Sequence, residues 1–106
     1  MDTRDETASL AARYAETLSA AVDEARAARA VALAQGNEAR VRNVDRLIGF
    51  LEEQLAAARS GSLPPRKGYG FALTRYMDDY EWGEEGTRLV DLVHELQRIW
   101  SEQPRD

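Results

Sequence analysis

Leu10, Tyr14, Leu18 and Val22 recur every four residues inside a run where 12 of 27 residues, Ala8 to Ala34, are alanine. Alanine is the strongest helix former, and a four-residue apolar spacing is the signature of one helix face. Ala11, Ala21, Ala25, Ala28 and Ala32 extend the same stripe. Thr3 and Glu6 have the spacing of a capping box, and Gly36 is a natural stop. The pattern predicts a long helix over about 4–35. Its alanine face lets a neighbour approach closely, but each alanine buries far less area than a leucine at about 25 cal/mol per Å². Such a helix needs partners along its whole length.

Asn37 follows the glycine and can cap a second helix. Val41, Val44, Ile48, Leu51, Leu55 and Ala58 form its apolar stripe, Leu47 widens it, Phe50 sits at its edge and Gly61 ends it. The expected span is 37–60. The very short Gly36-Asn37 connection favours an antiparallel hairpin over one kinked helix. Residues 60–70, Ser-Gly-Ser-Leu-Pro-Pro-Arg-Lys-Gly-Tyr-Gly, cannot continue a helix and read as a loop. Phe71 to Trp82 reads as a short third helix, near 70–81. Leu89, Leu92, Val93, Leu96, Ile99 and Trp100 form a stripe about 120° wide on a last helix at 86–102. The expected fold is therefore all-α: a long antiparallel αα-hairpin, a short helix and a C-terminal amphipathic helix in a four-helical, bundle-like arrangement. Its 106 residues form one domain, 1–106. The core of so small a domain is thin, and the last helix is about half the length of the first. Both points lead us to expect a homodimer or a hetero-complex.

Function is constrained first by what the chain lacks. It has no cysteine and one histidine, which removes thiol chemistry, thiolate metal sites and any site needing two imidazoles. A glycine-rich phosphate loop and a nucleophile elbow are also missing. Glu52-Glu53 and Glu84-Glu85 are similar to the paired acids of all-α nucleotide pyrophosphohydrolases, but position 56, where a further glutamate is required, is Ala56. No cofactor and no metal is expected. The net charge is −5, its excess lies at the two chain ends, and no block is basic, which argues against direct nucleic-acid binding. There is no 18-residue apolar run and no basic, apolar leader. We therefore expect no membrane association and a bacterial, cytoplasmic location.

The most unusual stretch is Tyr76-Met77-Asp78-Asp79-Tyr80-Glu81-Trp82-Gly83-Glu84-Glu85. Five acids fall within the eight residues Asp78 to Glu85, interleaved with Tyr80 and Trp82. Tyrosine and tryptophan supply large, rigid contact area at interface hot spots, and flanking carboxylates steer and orient a basic partner. Tyr76, Asp78, Asp79, Tyr80, Glu81, Trp82, Glu84 and Glu85 are the candidate partner-binding residues, with help from the loop Arg66–Tyr69. In the plainer reading, Tyr80 and Trp82 close the end of the bundle while the acids stay solvated. The leading expectation is a non-enzymatic interaction module (adaptor, inhibitor or immunity-type protein) that binds another protein with a basic surface.

Two other classes compete with it. Arg88 and His94, spaced Arg-x5-His near the end of a helical chain, resemble the Arg-x4–6-His signature of HEPN ribonucleases. That resemblance implies a four-helix fold whose dimer brings the two residues into a shared cleft for RNA cleavage. Helical periodicity puts His94 on the polar face of its helix, where a histidine without a role also sits. The remaining class is a structural subunit of a larger assembly, held through the alanine face of the first helix.

Overall fold

A computed structural model describes residues 3–63 and 87–102, with side chains from Ser9 in the first stretch and Arg88 in the second. The described residues form three helices and no strand: α1 (Thr3–Ala34), α2 (Glu38–Arg59) and α3 (Thr87–Ser101). The all-α class read from the sequence is correct, and each boundary lies within about a residue of its expected place. The short helix expected near 70–81 lies outside the described residues, as does the loop Arg66–Tyr69. The Thr3–Glu6 capping box concerns side chains that are also outside them.

The turn between α1 and α2 is built from two residues. Gly36 has φ +68, a left-handed conformation that an L side chain rarely adopts. This lets the Gly36 amide donate to Leu33 O at 3.0 Å and the Asn37 amide to Ala32 O at 2.9 Å, the paired bonds of a Schellman motif. Asn37 also begins the next helix, its Oδ1 accepting from the Arg40 amide at 3.1 Å. The continuous-helix alternative is thereby ruled out, because Asn37 completes one helix and opens the other. Gly61, at φ +90, ends α2 the same way, with Gly61 N donating to Ala58 O and Ser62 N to Ala57 O. Glu38 in the first turn of α2 and Arg59 in its last complement the helix dipole.

Helix α1 is the axis of the fold, and both α2 and α3 pack on it. Interhelical ion pairs fix the directions. Arg26 meets Glu52 and Arg29 meets Asp45, so α2 runs antiparallel to α1. Arg88 meets Glu24 and Arg13 meets Glu102, so α3 is antiparallel to α1 as well. The register places α3 against the N-terminal two thirds of α1 and α2 against its C-terminal part. At 1.5 Å per residue α1 is about 48 Å long and α3 about 22 Å, so one partner alone would not cover the axis.

The stripe read from the sequence is the core, except that Val41, expected on the stripe of α2, is half-buried in the cleft at the hairpin tip because it lies at the very start of the helix, next to the turn. Leu10, Tyr14, Leu18, Ala21, Val22 and Ala25 of α1 cluster with Val44, Leu47, Leu51 and Ala58 of α2 and Leu89, Val93, Leu96 and Ile99 of α3. Ala11, Ala28 and Ala32 are buried too. Ile48, Phe50, Leu55, Leu63, Leu92 and Trp100 are half-buried and pack against this cluster. No charged side chain is buried among the described residues.

Two positions depart from this consistency. The Tyr14 hydroxyl is buried without a hydrogen-bond partner among the described residues, and that burial drives its pKa well above the usual phenol value. An unmade hydrogen bond at a buried group costs stability. Tyr14→Phe is therefore expected to raise unfolding stability by about 1 kcal/mol in urea titration; a loss would show that the hydroxyl finds a partner. Gly49 is exposed in mid-helix, with open space where a Cβ would stand. Gly49→Ala is expected to add about 0.5–1 kcal/mol by the same measurement, through lower unfolded-chain entropy and higher helix propensity. Asn37→Ala removes the cap and should cost about 1 kcal/mol. A cost near zero would mean that Gly36 alone sets the turn.

Candidate functional site

The eight partner-binding candidates, Tyr76, Asp78, Asp79, Tyr80, Glu81, Trp82, Glu84 and Glu85, lie outside the described residues. What the structure does place is the helical frame on either side of them and the residues of the two competing readings.

Arg88 and His94 are both exposed on α3. Six residues apart at 100° per residue, they point about 120° away from each other around the helix axis. The Arg88 guanidinium turns toward α1, where its Nε lies 2.9 Å from Glu24 Oε1. His94 occupies the polar face of α3, as its periodicity predicts. The single described chain thus separates the two side chains and gives the arginine a carboxylate partner.

The alanine face of the structural-subunit reading is turned inward. Ala21 and Ala25 are fully buried and Ala28 nearly so, against the chain's own helices. Bulkier side chains there would disrupt the monomer before they reached any neighbour. Of the Glu52-Glu53 pair, Glu52 accepts a hydrogen bond from Arg26 at 2.8 Å. No group of three or more potential metal-ligating side chains is present among the described residues.

The ion pairs that cross between helices form a pattern that the periodicity of a single helix does not reveal. On the α1–α3 seam, Arg13 pairs with Glu102 at 3.2 Å, and Arg98 binds Glu95 through both Nε and Nη2. The hydrogen bond from Arg98 holds the Glu95 carboxyl below its ordinary pKa, and the positive charges of Arg98 and Arg13 act in the same direction. Glu95 in turn raises the pKa of Arg98. On the α1–α2 seam, Arg29 grips Asp45 with Nε and Nη2. These groups are largely solvent-exposed, so each pair contributes little to stability, while the pairs that cross between helices favour one register.

One surface feature was not singled out by periodicity. Val31 and Leu33 are the exposed large hydrophobic residues among those described, Leu33 at 53%. They sit near the hairpin tip, where a shallow cleft of about 370 Å³ is lined by Leu33, Gly36, Asn37, Glu38, Val41 and Arg42. Leu33 could have been flagged in the sequence, since it falls about 100° away from the stripe that ends with Ala28 and Ala32.

No family model matches the chain, and no curated protein and no solved structure is significantly similar to it. Among the described residues, no helix is long and apolar enough to cross a membrane.

The lowered Glu95 pKa sets the sign of a pH effect. A carboxyl depressed in the folded state adds stability that is fully present above its unfolded pKa, about 4.3. That contribution is lost as pH falls through the folded value. Glu95→Gln should therefore lower the melting temperature slightly at pH 7 and leave it closer to wild type in strong acid. A constant offset at every pH would remove Glu95 from the acid response.

Proposed function

We propose that this chain is a small, acidic, non-enzymatic protein-interaction module: an adaptor, inhibitor or toxin-neutralising immunity-type protein. It docks on a partner with a basic surface through Tyr76, Asp78, Asp79, Tyr80, Glu81, Trp82, Glu84 and Glu85. The observation that carries this reading is a contrast in chemistry. In the described helices the large apolar side chains face one another, apart from Val31, Leu33 and Val41 near the tip. The arginines Arg13, Arg26, Arg29, Arg88 and Arg98 each meet a carboxylate of the same chain. The segment Tyr76–Glu85 instead combines three large aromatic residues with five acids and, between Arg75 and Arg88, no base at all.

An acidic segment opposite a basic partner also gives fast, salt-sensitive association.

The test is affinity purification of the tagged native chain beside the Tyr80→Ala/Trp82→Ala variant, with thermal melts of both. A hot-spot truncation of about 2 kcal/mol weakens binding about 30-fold, so the two together should weaken capture of a specific partner by several hundred-fold, about 700-fold where they add. The melt and the helical circular dichroism should stay unchanged. Retained capture would overturn the proposal. Collapse of the melt would show that Tyr80 and Trp82 belong to the core. The charge-reversal variant Asp78→Lys/Asp79→Lys gives an independent readout, because it should abolish the salt dependence of binding without touching either aromatic residue.

A further inference from the structure

We draw no further inference here: the strongest candidate, the apolar patch of Leu33 and Val41 beside Glu38 and Arg42 in the cleft at the α1–α2 hairpin tip, is an unpartnered face with nothing in the structure to show what covers it.

Discussion

The close approach of two helices to the small-residue face of α1 is the contact on which the rest of the fold depends. Ala21 and Ala25 have no exposed surface, and Ala11, Ala28 and Ala32 almost none. With only a methyl group at each of these positions, neighbouring backbones come near enough for Leu47, Leu51, Leu89 and Leu96 to fill the remaining space. The alanines themselves add little burial energy per residue. Their role is geometric, and the core volume is filled by the larger side chains of all three helices, Leu10, Tyr14, Leu18 and Val22 of α1 included. Both helices pack on α1, side by side where Glu24 meets Arg88 and Arg26 meets Glu52, and neither alone covers its whole length.

This division explains how ionic and apolar forces share the work. The apolar cluster drives association but leaves room for sliding, since alanine neighbours resemble one another along the helix. Arg26–Glu52 and Arg29–Asp45 favour one α1–α2 register, and Arg88–Glu24 and Arg13–Glu102 favour one α1–α3 register. Each is a weak, solvent-exposed pair. Together they add a modest bias toward the alignment that the apolar cluster adopts.

The helices were legible in the sequence because their signals are local. Period-four apolar residues, the Gly36-Asn37 pair and Gly61 act within a turn or two, and the structure places helix boundaries and buried faces accordingly. The ion pairs were not legible, because Arg26 and Glu52 become neighbours only after α2 folds back in a particular register. Spacing did not expose the unsatisfied Tyr14 hydroxyl either: the phenyl ring fits the stripe, and only packing reveals what surrounds its oxygen. Periodicity marks Ala21, Ala25 and Ala28 as one face, and only the packed helices show that this face is buried within the chain. For the acidic-aromatic segment, chemistry was legible in the sequence, while its placement lies outside the described residues.

Asn37 closes α1 through its amide and opens α2 through its side chain. One residue therefore ends one helix and starts the next, with no spacer between them. An inserted residue at this corner would separate those duties and rotate α2 by about 100° relative to its buried stripe. Evolution can decorate the polar faces of these helices freely, yet it can lengthen the hairpin only by adding matched turns to both arms at once. The bend is thus a fixed point around which related chains would have to vary.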